Sequence, residues 1–194
     1  AKTAGAQLVA TGEMALTGYP IEDLALQPSF LRASHGAVAA LATRLQDEGL
    51  GDIPVVVGHP DGPFEPRLLG TSNAPTAIAQ NCASVLQHGR IQARYAKHHL
   101  PNYAVFDEYR IFIPGDELLV MRIADVDVAL IICEDLWREG GPLARVLESD
   151  AGVLLTKTEF LKPGAEKKFR IVDAAMNDLM RPTLYQAWVG VQPV

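Results

Sequence analysis

Three polar residues lie at or near the ends of predicted strands, and their side chains could together attack a carbonyl carbon. Cys133 follows the apolar run at 128–132, where oriented backbone amides and a nearby cation can turn a thiol into a nucleophile. Lys97 lies near the end of a predicted strand that Pro101 interrupts, and an ammonium there can stabilise an oxyanion. Glu13 follows the run at 7–10, and a partly buried carboxylate can act as a general base.

Each of these residues taken alone has a more ordinary interpretation. A free cysteine is most often a small buried hydrophobe, and one cysteine is weak evidence for a nucleophile. A lysine near a loop is usually solvated, and a glutamate at the end of a strand is usually a surface charge. The case for catalysis therefore depends on the three residues occurring together.

The runs around these residues predict the elements that must position them. Apolar runs at 53–57 and 128–132 lack polar alternation, which is typical of strands buried between two layers. A helix is predicted from Ser29, as its cap, to Gly49, and a second one between Pro163-Gly164 and Pro182. His88-Gly89 predicts a hairpin turn. Strands are predicted at 7–10, 53–58, 82–87, 91–96, 118–123, 128–132 and 152–155.

Composition and charge narrow the class of protein. Of 194 residues, 48% are hydrophobic and 21% are charged, the balance of a globular domain with an aliphatic core. The net charge of −6 argues against binding to nucleic acid or to an anionic membrane. The sequence shows neither a secretory signal nor an apolar run that could span a bilayer, and its two cysteines suit a reducing compartment. These features predict a cytoplasmic α/β domain with a mixed sheet and no metal site.

Longer strings around the three residues carry a family resemblance. The strings are EMALTGYP at 13–20, KHHLPNYAVFDE at 97–108 and ICEDLW at 132–137. Glu, Lys and Cys in this chain order resemble the catalytic arrangement of the nitrilase superfamily. The middle string is similar to the glutaminase domain of glutamine-dependent NAD+ synthetases, and this resemblance implies an α-β-β-α sandwich with mixed β-sheets. It covers residues 1–194 as one glutamine amidohydrolase domain, in which strands expected at the sandwich edges are missing.

The resemblance also implies roles for individual residues. Cys133 would attack the side-chain amide of glutamine and form a thioester, Glu13 would carry the protons, and Lys97 would steady the oxyanion. Four further positions would line the glutamine site: Tyr103, Phe106, Glu134 and Thr158. Hydrolysis would need no metal or cofactor. ATP and Mg would belong to a separate synthetase (ATP-pyrophosphatase) domain, joined in cis or acting in trans, and the family implies a homo-oligomer.

Departures from the family pattern keep two other interpretations open. The string TKTEF at 156–160 replaces a quieter string of the family, and the sequence after Tyr185 is also altered. The changes at 157–159 allow a nitrilase-family amidase that acts on another small amide. The altered ends allow a non-catalytic scaffold or a truncated piece of the fold, although a scaffold would not need Glu13, Lys97 and Cys133.

Overall fold

A computed structural model describes residues 1–65, 77–103, 106–147, 151–155, 160–163 and 168–171. Its α-helices are α1 (Pro28–Asp47) and α2 (Gly141–Leu147). Short 3₁₀ turns occupy Lys2–Ala4, Glu22–Leu26, Glu108–Arg110 and Cys133–Leu136. The strands are β1 (Val9–Ala10), β2 (Val55–Asp61), β3 (Gln80–Gln87), β4 (Arg90–Ala96), β5 (Leu119–Ile123), β6 (Val126–Ile131), β7 (Gly152–Leu155), β8 (Phe160–Pro163) and β9 (Lys168–Ile171).

The strands form two main mixed sheets. The first sheet has the order β1-β2-β3-β4, with β1 and β2 parallel and the other pairs antiparallel. The second sheet has the order β5-β6-β7, in which β6 pairs antiparallel with β5 and parallel with β7. Strands β8 and β9 form a separate antiparallel pair. The predicted mixed α/β class is therefore confirmed.

Apolar side chains hold these layers together. Between the two sheets, Val56, Val85 and Tyr95 of the first sheet pack with Leu130 and Ile131 of the second. On the other side of the first sheet, a cluster that joins it to α1 comprises Val38, Ala42, Val57 and Leu86. Strand β2 thus contributes Val56 to one layer and Val57 to the other. The apolar run at 53–57 predicted such a strand, buried on both faces.

The turn chemistry explains where several elements end. His88 and Gly89 both have positive φ, 52° and 76°, and they join β3 to β4 as the sequence predicted. Positive φ at both turn residues matches the twist of a two-residue hairpin. Helix α1 is followed by Gly49 at φ 72°, which glycine adopts without strain.

Two predictions about helices were wrong. Helix α1 begins at Pro28, so Ser29 lies within its first turn and Gln27 takes the N-cap position. Proline is favoured there because its fixed φ suits the first turn and its missing N–H would have no partner. The helix predicted after Pro163-Gly164 is contradicted at 168–171, where β9 pairs with β8. Its four residues alternate polar and apolar types, the period of a strand. Most of the remaining predicted helix lies outside the described residues.

Among the described residues, none of the helices is long and apolar enough to cross a membrane.

Candidate active site

The loop that carries Glu13 lies directly against β2. Thr11 N donates to the Val56 carbonyl at 2.9 Å, and Leu16 N donates to the Gly58 carbonyl at 3.0 Å. A side chain at Gly58 would leave no room for this loop, because its Cβ would lie 2.0 Å from the Gly12 carbonyl oxygen. A glycine in β2 therefore lets the chain turn immediately after β1 and present Glu13 beside the first sheet.

Lys97 connects two carboxylates at the centre of the site. It follows β4, and its side chain is only 1% exposed. Its Nζ donates to Glu13 Oε1 at 2.7 Å and lies 2.9 Å from Glu108 Oε2. Burial would lower the pKa of Lys97, but the charges of Glu13 and Glu108 outweigh burial and raise that pKa well above its usual value. The ammonium therefore stays protonated.

Glu108 is a site residue to which the sequence analysis assigned no role, although it ends the string at 97–108. It begins a 3₁₀ turn, is 1% exposed, and accepts a hydrogen bond from the Tyr19 hydroxyl at 2.9 Å. Burial raises the pKa of Glu108 to about 7 despite the opposing effect of Lys97. Contacts with Lys97 and Tyr19 thus distinguish Glu108 from a surface carboxylate, and the sequence alone does not reveal them.

The Glu13 carboxylate is held in its ionised form. Burial would raise the pKa of Glu13, but the Lys97 charge and hydrogen bonds from Lys97, Asn81 and Cys133 together lower it. The Asn81 amide donates to Glu13 Oε1 at 2.7 Å. A charged carboxylate in contact with a thiol can accept its proton. The structure thus brings together Glu13, Lys97 and Cys133, the three residues that the sequence singled out.

Cys133 occupies a sharp turn at the end of β6. It begins the 3₁₀ turn Cys133–Leu136, is 6% exposed, and has φ 45°. Asp135 N donates to the Ile132 carbonyl at 3.0 Å and closes this turn. Positive φ is uncommon in a residue with a side chain, and such conformations concentrate at functional sites. This turn favours Cys133 as the nucleophile over Cys82, which is fully buried within β3.

Asp135 ties the Cys133 turn to the end of β4. Its Oδ2 accepts from the Tyr95 hydroxyl at 2.8 Å, and its Oδ1 accepts from His99 N at 2.7 Å. Asp135 is fully buried and Tyr95 is 1% exposed. Burial raises the pKa of Asp135, while its hydrogen bonds oppose that rise. Because Lys97 lies between Tyr95 and His99, this network fixes the lysine relative to the nucleophile.

Three of the four predicted substrate-binding residues, Tyr103, Phe106 and Glu134, are linked by contacts with one another. The Tyr103 hydroxyl donates to Glu134 Oε2 at 2.7 Å, and the Phe106 ring lies 5.9 Å from the Tyr103 ring, edge-on. Arg138 Nε lies 3.3 Å from Glu134 Oε1, so both oxygens of that carboxylate already have partners. Thr158 lies outside the described residues. In the described part of the chain, no group of His, Cys, Asp and Glu could hold a metal ion.

Comparison with known proteins gives two family resemblances. A glutamine-dependent NAD(+) synthetase from Xanthomonas campestris pv. campestris is 39% identical over 152 residues, which are 77% of this chain and 24% of that protein. Residues 55–194 also match the family described as pyridoxal-dependent decarboxylase, C-terminal sheet domain. A diaminopimelate decarboxylase from Pseudomonas aeruginosa is 62% identical over 50 residues, or 26% of this chain and 12% of that protein. The chain spans between about a quarter and a third of the length of the synthetases that it matches.

Solved structures support the first resemblance. A glutamine-dependent NAD+ synthetase from Acinetobacter baumannii, in complex with ADP, matches with a TM-score of 0.64 and 28% identity. The match covers 82% of this chain and 27% of that one. A mutant amidase of the nitrilase superfamily from Nesterenkonia AN1 matches with a TM-score of 0.58 and 23% identity, over 79% of this chain and 53% of that one. The predicted nitrilase-like fold is confirmed.

Proposed function

We propose that this chain belongs to the glutamine-dependent NAD(+) synthetase family and hydrolyses the side-chain amide of glutamine. Over residues 55–194 the chain belongs to the family of the pyridoxal-dependent decarboxylase C-terminal sheet domain. The observation that supports this activity best is the buried contact of Glu13 with Lys97, at 2.7 Å, and with the thiol of Cys133. A base, a cation and a nucleophile at one point are what acyl transfer from an amide requires.

In the proposed reaction, Glu13 takes the thiol proton as Cys133 Sγ bonds to the amide carbon. Glu13 then gives the proton to the departing nitrogen, the C–N bond breaks, and ammonia leaves a glutamyl thioester on Cys133. Glu13 next takes a proton from water, whose oxygen attacks the thioester carbonyl. The proton returns to the sulfur, which restores the free thiol and releases glutamate. Burial of the site supports these steps by excluding competing water.

Lys97 would stabilise the negative oxygen of each tetrahedral intermediate. Its raised pKa keeps it cationic, and its two carboxylate partners fix its position before the charge develops. Glu108 would act through Lys97, as a support for the ammonium. Tyr103 and Phe106 would form the apolar and hydrogen-bonding wall that receives the glutamine side chain.

The second family name implies pyridoxal phosphate, and the described residues do not fit that group. A pyridoxal aldehyde forms an imine only with a neutral amine. Lys97, the lysine buried in the described site, is an ammonium held between Glu13 and Glu108, and its pKa is raised rather than lowered. We therefore derive no step that uses pyridoxal phosphate.

The same proposal includes the use of the released ammonia. The ammonia would serve NAD+ formation on an ATP- and Mg-dependent synthetase domain, in cis or in trans, within a homo-oligomer in the cytoplasm. The relatives named as glutamine-dependent NAD(+) synthetases support this assignment. Neither nucleic acid nor a membrane has a part in it.

A second candidate substrate is a small amide without an α-ammonium group. The engagement of Glu134 with both Tyr103 and Arg138 favours it, because a carboxylate that already has two partners is less available to bind an α-ammonium group. We would measure ammonia release from glutamine and from short aliphatic amides, with Cys133→Ala as a control. The proposal expects glutamine to give the higher kcat/KM. Faster turnover of acetamide or propionamide would assign the site to a general amidase instead.

A further inference from the structure

Asn81 is a fully buried polar residue at the start of the sheet strand next to Lys97. Its amide Nδ2 donates to Glu13 Oε1 at 2.7 Å, and its backbone carbonyl accepts from Lys97 N at 2.8 Å. Its exposed fraction is 0%, so the carboxamide has no contact with bulk water. Asn81 therefore contacts the base through its side chain and the cationic residue through its backbone.

The position of Asn81 in β3 explains why its side chain meets the site. Alternate residues of a strand share a face, and Ala83 and Val85 of β3 pack toward the second sheet. Asn81 continues that face by one step, just as Lys97 continues the face of Tyr95 on the adjacent strand. An apolar residue would continue the core at this position, whereas asparagine places an amide beside the reacting groups.

The hydrogen bonds of the Asn81 side chain indicate that its amide serves to bind the Glu13 carboxylate. Within the part of the chain that the structure describes, Glu13 is its hydrogen-bond partner at Nδ2, and Oδ1 is buried without a partner. Burying an amide with an unsatisfied oxygen costs free energy, so the residue contributes little to stability as such. A contact with a charged carboxylate offsets that cost and fixes the carboxylate in one orientation.

We propose that Asn81 is a positioning residue that orients the Glu13 carboxylate toward Cys133 and favours its ionised form. The inference rests on the proposed role of Glu13 as a base, although it does not depend on which amide is the substrate. Lys97, Asn81 and Cys133 face Glu13 directly. Glu108 and Tyr19 lie beyond Lys97, where burial, with a smaller contribution from the charge of Glu13, raises the pKa of both.

The test replaces Asn81 and measures how the reactivity of Cys133 depends on pH. Asn81→Leu has a similar size and removes the donor, and Cys82→Ala, on the opposite face of the same strand, is the matched control. The rate of alkylation of Cys133 by iodoacetamide is followed by peptide mapping, in parallel with glutamine hydrolysis. Loss of one charge-assisted hydrogen bond should move the acidic limb of both profiles up by about one pH unit. Cys82→Ala should leave that limb unchanged.

A second variant keeps the test valid if Asn81→Leu does not fold. Asn81→Ala removes the same donor without adding apolar bulk, so the limb should move upward as in Asn81→Leu. An acidic limb that stays at its wild-type pH in either folded variant would overturn the inference. A shifted alkylation profile in a chain that does not hydrolyse glutamine would support the role of Asn81 and reject the proposed substrate.

Discussion

At the scale of single residues, buried charge is the main determinant of the site. Lys97 is nearly inaccessible to solvent yet carries two carboxylate partners, Glu13 and Glu108. Removing one partner of a buried ion pair is costly, since it leaves an uncompensated charge. The two carboxylates also differ, because the pKa of Glu13 is lowered while that of Glu108 is raised to about 7. Because their environments differ, Glu13 is suited to act as a base, and Glu108 is suited to hold the Lys97 ammonium in place.

Glu13→Gln should reduce glutamine hydrolysis by at least about 100-fold, because an amide cannot accept the thiol proton. Exposed Glu48→Gln, on the helix side of the molecule, is the matched control and should retain wild-type activity. Ammonia release measured at a fixed pH compares the three chains. Near-normal turnover by Glu13→Gln would remove Glu13 from the role of base.

Glu108 should make stability depend on pH near neutrality. Its folded pKa of about 7 exceeds the ordinary value of 4.5, so the folded chain binds the proton more tightly than the unfolded chain does. This contribution is fully present below pH 4.5 and is lost as pH rises toward 7. The free energy of unfolding of the wild type should therefore fall over that range, relative to Glu108→Gln. Urea titrations of both proteins from pH 4 to pH 8 would measure the difference, and parallel curves would refute it.

At the scale of elements, strand ends rather than strand interiors carry the chemistry. Glu13 follows β1, Lys97 follows β4 and Cys133 follows β6, so the three chain segments meet at one end of the two facing sheets. Fixed contacts between elements then set the spacing. The Asp135 network joins the Cys133 turn to β4, and Gly58 admits the Glu13 loop beside β2.

Tyr95→Phe should lower the free energy of unfolding by about 1–2 kcal/mol, because it removes a buried hydrogen bond to a carboxylate. Tyr109→Phe offers a matched control, since Tyr109 is 57% exposed and should change stability little. Chemical denaturation of both variants provides the comparison. Equal stability of the two variants would show that the Tyr95–Asp135 bond does not hold the sheets together.

Gly58→Ala should destabilise the fold by about 1–3 kcal/mol through a clash with the loop that carries Glu13, and it should also impair activity. Gly36→Ala is its control. Gly36 lies within α1 and a Cβ there meets nothing within 4 Å, so this change should stabilise the protein by about 0.5–1 kcal/mol. Thermal and urea unfolding would measure both changes in the free energy of unfolding, which should have opposite signs. A Gly58→Ala variant as stable as the wild type would contradict the close packing of the Glu13 loop against β2.

Local sequence patterns predicted most of these elements, and long-range contacts account for what they missed. The His88-Gly89 hairpin and the strand at 152–155 depend on adjacent residues, and both are present as predicted. The catalytic candidates were predicted from their positions near strand ends together with the family resemblance of the strings around them. Asn81, Glu108 and Asp135 received no site role, because their importance comes from contacts 11 to 89 residues away. The failed helix at 168–171 shows strand pairing overriding apolar residues spaced as in a helix.

At the scale of the whole molecule, the chain combines resemblances to two families. The matches to NAD(+) synthetases agree with the described sheets. The decarboxylase resemblance was not predicted from the sequence, because the strings around Glu13, Lys97 and Cys133 indicate only the synthetase resemblance. The departures at 156–160 and after Tyr185 lie within residues 55–194, the range of that second match. Two explanations are equally consistent with these sequence departures. One is the relationship of this range to the second family, and the other is a change in amide specificity.

A challenge with pyridoxal phosphate tests the charge state of Lys97. Incubation with pyridoxal phosphate and then borohydride should leave Lys97 unlabelled in the folded chain, since its ammonium is protonated between two carboxylates. Lys2, an exposed residue, serves as the internal reference for labelling. Peptide mapping would locate the label. Selective reduction of an imine onto Lys97 would contradict the arrangement described for the site.

The most direct test of the central claim is the capture of an acyl group on Cys133. The chain would be mixed with glutamine, quenched in acid within the first turnovers, and mapped by mass spectrometry. A glutamyl thioester on the peptide that contains Cys133, absent from Cys133→Ala and from a control without glutamine, is the expected result. Glutamate formation without an adduct in the wild type, or with undiminished yield in Cys133→Ala, would contradict the thiol mechanism.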